Sequence, residues 1–156
     1  MSTYVASEAA LLTAVRATNG GALFTAQNSA RGDFTVLDRS GVTAAAVLWQ
    51  AGKSDYGDEL DDYGAHGTTQ ERHRIAVILF QARGQANDGV SAAALHTNAD
   101  ALIAHLHSVP TLSGAVLRAE VVEADVPRVR QGSAWIFQSI LVEVRTETDE
   151  TEVPEI

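Results

Sequence analysis

The 156-residue chain contains no cysteine. This absence excludes disulfide bonds, thiolate nucleophiles and zinc sites built on cysteine. No apolar run reaches the ~18 residues that a membrane span requires. The first residues, MSTYVASEAALL, contain neither a basic leader nor a sustained apolar stretch, so we expect no signal peptide and no membrane contact. The length and the hydrophobic fraction of 46% suit one globular domain with a single core.

The motifs of common catalytic and nucleotide-binding sites are also missing. There is no Gly-x-Ser-x-Gly sequence, and the stretches TNGGAL and QARGQANDG lack the Gly-Lys-Ser/Thr ending of a phosphate-binding loop. Asp61 and Asp62 are adjacent in an expected loop, where two carboxylates are not held at the fixed separation that acid–base work requires. We therefore expect no catalytic residue, no cofactor and no enzymatic activity.

Negative charge is concentrated in two short segments. Residues 53–66 carry a net charge of −4 and residues 147–156 a net charge of −5, which together equal the formal charge of −9. The rest of the chain is neutral and has no basic patch, so we expect no affinity for nucleic acid. The carboxylates of the first segment are Asp55, Asp58, Glu59, Asp61 and Asp62.

The first acidic segment, KSDYGDELDDYGAHG, raises the possibility of a calcium loop. Such a loop needs oxygen ligands at alternating positions, a glycine at the sixth and a glutamate at the twelfth. Counting from Asp55 places Leu60 sixth and His66 twelfth, and counting from Asp58 places Leu60 third. The pattern fails from either start, so a solvated or partner-facing loop is the better interpretation.

Histidine spacing also argues against a metal site. His96, His105 and His107 fall on an expected helix, but spacings of nine and two do not place them on one face. His66 and His73 are seven residues apart at the start of an expected strand, a spacing that suits no local chelate. We interpret all five as exposed polar residues and expect no bound metal.

Hydrophobic periodicity predicts an α+β fold with a largely antiparallel sheet of about five strands and two helices on one face. The expected order is α-β-β-β-α-β-β. Ser7 caps the first helix, and apolar residues on both alternating faces of Ile75–Phe80 indicate a central strand covered on both sides. The domain spans residues 1–146, followed by an acidic flexible tail at 147–156. The predicted helices are 7–19 and 91–109, and the predicted strands include 34–38, 44–50, 75–80, AVLRAEVVEAD and AWIFQSILVEVRT.

Two aromatic pairs allow more than one interpretation. Tyr56 and Tyr63 lie in the acidic segment, where they either anchor a partner or pack the loop onto the body. Trp135 and Phe137 lie on the face of the last strand opposite Ile136, and meet either a second layer or a partner. For at least one of Trp135 and Phe137, core packing is the better interpretation.

The chain resembles the tail-terminator proteins of long-tailed bacteriophages over residues 5–146. The resemblance rests on element order, length and texture, and is carried best by HRIAVILFQARG, the helix after it, and AVLRAEVVEADVPRVRQGSAWIFQSILVEVRT. It implies a structural virion protein that forms a six-membered ring, caps the tail tube and meets the head-completion or neck protein. DNA would pass through the lumen without specific binding. The expected interface residues are Tyr56, Asp58, Glu59, Asp61, Asp62, Tyr63, Arg72, Arg74, Arg128 and Arg130.

Other functions remain open from the sequence. Another neck or head–tail completion protein would have similar size and texture. A small α+β enzyme or ligand-binding module would place its site in a cleft under the acidic loop. An acidic host protein that mimics nucleic-acid charge would spread that charge along a face, whereas here the charge is confined to two segments.

Overall fold

The computed structural model describes residues 3–57, 68–84 and 87–149. They form two α-helices, two short 3-10 helices and one mixed sheet of seven strands, most of them antiparallel, so the predicted α+β class is confirmed. The helices are α1 (Thr3–Arg16) and α2 (Asp88–Ser108), and the 3-10 helices are Thr18–Gly21 and Phe34–Asp38. The strands are β1 (Ser29–Arg31), β2 (Ala44–Gln50), β3 (Asp55–Gly57), β4 (Thr68–Ala82), β5 (Arg118–Ala124), β6 (Arg128–Val129) and β7 (Trp135–Asp149).

The sheet has the order β1-β2-β4-β7-β5, with the short β3 paired to β4 and β6 paired to β7. Its centre is the antiparallel pair of β4 and β7, which runs in unbroken register from Thr68 opposite Asp149 to Ala82 opposite Trp135. At one edge, β1 pairs with β2 in parallel. Short β1, β3 and β6 raise the strand number above the predicted five.

Both helices pack on one face of the sheet, as predicted. The core between them contains fully buried residues at alternating positions of β4 and β7, because successive strand residues point to opposite faces. Leu95, Ala99, Leu102 and Leu106 bury one face of α2 as the sequence period predicts. The sheet residues of this core include Ile75, Val77, Leu79, Ile136, Ile140, Val142 and Val144.

The other face of β4 is not fully covered. Ala76 is buried there, while Ile78 and Phe80 remain half-buried. The second 3-10 helix covers one corner of this face, around Ala45 and Val47. The prediction that the central strand is covered on both sides was therefore right for the helix side alone.

The first helix begins earlier than predicted. It starts at Thr3, so Ser7 is not a cap but a residue of the helix interior with 1% of its surface exposed. The helix ends at Arg16, and Asn19 and Gly20 then take positive φ angles of 53° and 66° within the following 3-10 segment. The predicted end of this helix is therefore correct within a few residues, and its predicted start is wrong.

The predicted strand at residues 34–38 is a 3-10 helix instead. The Asp33 carboxylate accepts a hydrogen bond from the Thr35 backbone N–H at 2.9 Å and another from the Thr35 hydroxyl at 2.6 Å. Aspartate favours such local caps, and here the cap outweighs the strand preference of Phe34, Thr35 and Val36.

The last strand is longer than predicted. β7 continues through Glu147 and Thr148 to Asp149, and these residues pair with Gln70, Thr69 and Thr68. The boundary predicted at residue 146 therefore falls inside the strand. The remaining predicted tail, residues 150–156, lies outside the described residues.

Candidate functional site

The sheet face opposite the helices, called the open face below, carries a cluster of aromatic rings. Phe34 and Trp49 have ring centroids 5.6 Å apart, and Phe80 meets Phe34, Trp135 and Phe137 at 6.2, 6.4 and 6.4 Å. Trp49 is 51% exposed and Phe34 39%. Rings of this kind contribute large apolar area to interfaces, so the cluster is suited to contact with another protein.

Charged side chains occupy the other end of the open face. Arg72, Arg145 and Arg118 lie directly beside one another on β4, β7 and β5. We call these three the arginine row. The neighbouring carboxylate of Glu143 contacts two of them, Arg72 at 3.3 Å and Arg145 at 3.5 Å. Adjacent like charges on paired strands destabilise a sheet, so the row favours an acidic partner.

The β5 side of the sheet exposes apolar side chains. Val122 is 46% exposed and Val126 61%, and Leu117 and Val129 are similarly exposed at 45% and 48%. A shift in the pairing register between Val121 and Glu123 marks a bulge in β5, which lets Val122 face outward. We refer to this strip, residues 117–129, as the β5 edge. Its apolar residues continue from the arginine row at Arg118.

A polar cluster lies buried on the helix side, at the end of the sheet near β3. His73 is completely buried, and Glu71 is 8% exposed. The Ser54 hydroxyl lies 2.6 Å from His73 Nδ1, and Glu71 Oε2 lies 3.2 Å from His73 Nε2. Glu71 also accepts hydrogen bonds from the hydroxyls of Thr3 and Thr146. The cluster thus joins the start of α1 to β4, to β7 and to the residue that precedes β3.

The hydrogen bonds place a hydrogen on one nitrogen of the ring. Thr3 has a single hydroxyl hydrogen, which it donates to Glu71, so His73 Nε2 must carry a hydrogen to satisfy both oxygens near it. In a neutral ring with its hydrogen on Nε2, Nδ1 accepts the hydrogen of the Ser54 hydroxyl. A neutral imidazole beside an ionised carboxylate satisfies every one of these contacts.

Ser54, His73 and Glu71 resemble a serine–histidine–acid relay in composition. Such a relay needs a serine that substrate can reach and an imidazole that can exchange protons with it. Here the ring of Tyr4 packs edge-on against His73 at 5.7 Å, and that of Tyr56 packs similarly at 6.3 Å. These rings enclose the imidazole, so the arrangement suits a structural role. Burial raises the pKa of Tyr4, and its hydrogen bond to Glu8 raises it further.

A groove of about 330 Å³ lies between α1 and the turn after α2. Its ionisable lining residue is His105, and the turn at its mouth holds Leu112 and Ser113 at positive φ angles of 49° and 60°. Among the described residues that line the groove there is no carboxylate, so it offers apolar contact and not acid–base chemistry. The other lining residues include Ala10, Thr13, Ala14, Ala17, Val109 and Ala115.

The predicted interface residues are distributed over several places. Tyr56 is 63% exposed on β3. Arg74 contacts Asp55 at 3.4 Å and Arg72 belongs to the arginine row, so these two share the open face. Arg128 instead binds Asp125 at 2.8 Å within the β5 edge, and Arg130, just beyond that strip, is exposed. Asp58, Glu59, Asp61, Asp62 and Tyr63 lie outside the described residues.

Sequence reasoning missed several residues of these sites, among them His73, Arg118 and Arg145. The prediction that His73 is exposed was wrong, because the ring is enclosed by the start of α1 and by β3. The spacing Glu71-x-His73 was an available signal, since residues two apart on a strand share a face. Arg118 and Arg145 gave no signal, because their proximity depends on strand pairing.

No protein-family model matches the chain, and no curated protein is significantly similar to it. None of the helices in the described ranges is long and apolar enough to cross a membrane. Within the same ranges, no three histidine, aspartate or glutamate side chains come together as a metal site would require.

Proposed function

We propose that this chain is a structural assembly protein whose open sheet face and sheet edges bind further protein subunits. More particularly, we propose that it forms the ring that terminates a bacteriophage tail tube and joins it to the neck. The resemblance in element order and texture supports the particular role. The observation that carries the general one is the open face, whose aromatic cluster includes a half-exposed tryptophan.

The size of the open face fits this role. Five strands at a spacing of ~4.8 Å make a sheet about 20 Å wide. A stable interface buries about 800 Å² on each partner, with a few aromatic or arginine anchors at its centre. The aromatic cluster and the arginine row supply anchors of both kinds on one surface.

Assembly can be measured on the purified chain. Native mass spectrometry and cryo-electron microscopy over a range of concentrations should detect a closed ring, alone or at the ends of tail tubes. Trp49→Ser should weaken the ring, because an interface anchor of this type contributes about 2 kcal/mol or more. Its matched control is Val90→Ser, which removes an apolar residue of 58% exposure from α2. A chain that stays monomeric at every concentration and leaves tail tubes uncapped would contradict the proposal.

Tyr56→Ala tests the predicted tyrosine anchor. The side chain is 63% exposed, so its removal should change monomer stability by little, while it should reduce ring formation on tail tubes. Unfolding of the monomer with normal capping would instead show that Tyr56 acts through its packing on His73 and not through a ring contact. The gene order is an independent observation, and a tail tube gene directly downstream would support the particular role.

A further inference from the structure

The chain has four asparagines, and all of them lie within the described residues. Three are restrained by their surroundings. Asn28 accepts a hydrogen bond from the Thr25 backbone N–H at 2.6 Å. Asn87 caps the start of α2, and Asn98 lies in the middle of that helix. Asn19 differs, because its side chain is exposed and has no hydrogen-bond partner in the part of the chain that the structure describes.

Asn19 is also the one asparagine that precedes a glycine. The backbone nitrogen of the following residue can attack the side-chain amide of an asparagine, and a Cβ on that residue hinders the approach. Gly20 has no Cβ, and the space that a Cβ would take is open. Asparagine amides are among the heat-labile groups of proteins. The sequence and the exposure together make Asn19 the most reactive asparagine of this chain.

The 3-10 turn at Thr18–Gly21 restrains this reaction in the folded chain. The Gly20 N–H donates to the Ala17 carbonyl at 3.1 Å, so the attacking nitrogen is turned toward Ala17 and away from the side chain of Asn19. The Ala22 N–H donates to the Asn19 carbonyl at 3.3 Å and closes the turn. A single turn at the surface opens locally without unfolding of the whole domain. The reaction therefore has to proceed through this opening.

We propose that Asn19 is a site of spontaneous deamidation and that opening of the 3-10 turn controls its rate. The Gly20 nitrogen loses its proton and bonds to Cγ of Asn19. The side-chain nitrogen takes up a proton and leaves as ammonia, and a five-membered succinimide remains. Water then adds to one of the two ring carbonyls and opens the ring, which gives aspartate or isoaspartate. Water is the co-reactant, and no group is oxidised or reduced.

Both products place a carboxylate near the end of α1. The carbonyl end of a helix carries partial negative charge, so a carboxylate there is unfavourable. Arg16, the cation in the last turn of α1, already donates to the hydroxyl and the carbonyl of Ser29 at 2.8 and 2.9 Å. Isoaspartate also lengthens the backbone by one methylene group, which displaces the Gly20 N–H from Ala17. Since Ala17 lines the groove beside α1, the reaction alters that groove.

Peptide mapping by mass spectrometry tests the site during incubation of the full chain in mildly alkaline buffer. Trypsin cleaves after arginine, so one peptide, residues 17–31, contains both Asn19 and its matched control Asn28. Fragment ions assign each mass gain to one of the two. Asn19 should convert about tenfold faster or more than the other three asparagines, because their opening requires the loss of further hydrogen bonds. Asn19→Gly should remove this mass gain and keep the fold, since glycine adopts the φ of 53° readily.

A synthetic peptide of residues 17–23 gives the rate without the turn. The folded chain should react about tenfold more slowly or more than this peptide, because two hydrogen bonds must be lost first. In urea the two rates should become equal. Earlier conversion of another asparagine, or an Asn19 that stays intact over the lifetime of the folded sample, would overturn the assignment of the site. Reaction of the folded chain at the rate of the peptide would overturn control by the turn.

Asn19→Asp installs one product directly, and aspartate tolerates the left-handed backbone of this position. Hydrogen exchange in the last turn of α1 should become about two- to fivefold faster, because the added carboxylate opposes the helix dipole. Asp38→Asn, which changes a charge at the end of the other 3-10 helix, is the control and should leave this exchange unchanged. Unchanged exchange in Asn19→Asp would overturn the stated effect of the reaction on α1.

Discussion

Replacement of His73 by leucine tests the structural role of the buried polar cluster. Leucine keeps most of the volume of the imidazole but removes the Nε2 donor that lies 3.2 Å from Glu71 Oε2. The carboxylate keeps the hydroxyls of Thr3 and Thr146. A hydrogen bond to a charged group contributes about 1.5–3 kcal/mol. Because these two donors remain, we expect His73→Leu to lower the free energy of unfolding by about 2–3 kcal/mol.

The double variant separates the pair from its surroundings. Glu71→Leu together with His73→Leu removes both partners of the hydrogen bond, and replacing both partners of a buried hydrogen bond by apolar groups is often nearly neutral. The double variant should therefore be more stable than the sum of the two single changes predicts, with a coupling of about 1–2 kcal/mol. Thr146→Val is the matched control, because it removes one hydrogen-bond donor to Glu71 and leaves the imidazole of His73 in place.

Urea unfolding followed by circular dichroism would measure these differences. A loss of about 2–3 kcal/mol should appear as a decrease of roughly 4–12 °C in the midpoint of thermal unfolding. Additive single effects, or a His73→Leu variant within ~0.5 kcal/mol of the unaltered chain, would refute the assigned hydrogen bonds. Hydrogen exchange at the start of α1 provides a local readout, because Thr3 fastens that helix to Glu71.

Three further predictions concern single groups. Because burial raises the pKa of Tyr4, this phenol should ionise well above the ordinary value of 10.0, and its contribution to stability should be lost as the pH rises above that value. Tyr4→Phe should remove the last step from an absorbance titration of the tyrosines, and persistence of that step would contradict the assignment. A hydrogen bond from Arg128 holds the pKa of Asp125 below its usual range, so the associated stability is present at neutral pH and is lost as the pH falls through the folded-state pKa. Arg128→Ala should move the carboxyl titration seen by NMR back toward its ordinary position, and an unchanged titration would exclude this cause. On assembly, acrylamide should quench Trp49 less, with a smaller change at half-buried Trp135; equal quenching in monomer and ring would place Trp49 outside the interface.

The parts of the fold that the sequence predicts well are those set by local periodicity. The apolar residues of α2 recur on one helical face, and alternation along β7 places Ile136 and Trp135 on opposite sides, as the structure has them. The parts that failed depend on single side chains. Asp33 closes a 3-10 turn where residue preferences favour a strand, and Thr3 extends α1 beyond the predicted cap because Glu71 holds it.

The candidate sites depend even more on contacts between distant residues. Tyr56, Arg72 and Arg74 could be selected from the sequence because they lie within or beside the acidic segment. Arg118 joins Arg72 through the pairing of both their strands with β7. Strand pairing over such separations is decided by the packing of the whole core, and a single sequence does not reveal it.

The unbroken pairing of β4 with β7 also has a kinetic consequence. The paired residues that are closest in sequence, Ala82 and Trp135, are separated by the whole of α2 and β5. We therefore expect the two strands to pair late in folding. Contacts of such sequence separation require a large loss of chain entropy before they become stabilising, and they slow folding. Until then β4 presents Ile75, Val77 and Leu79 beside an unpaired edge, which is the exposure that favours aggregation. Expression at lower temperature, or with a chaperone that shields apolar strands, should therefore raise the yield of native chain.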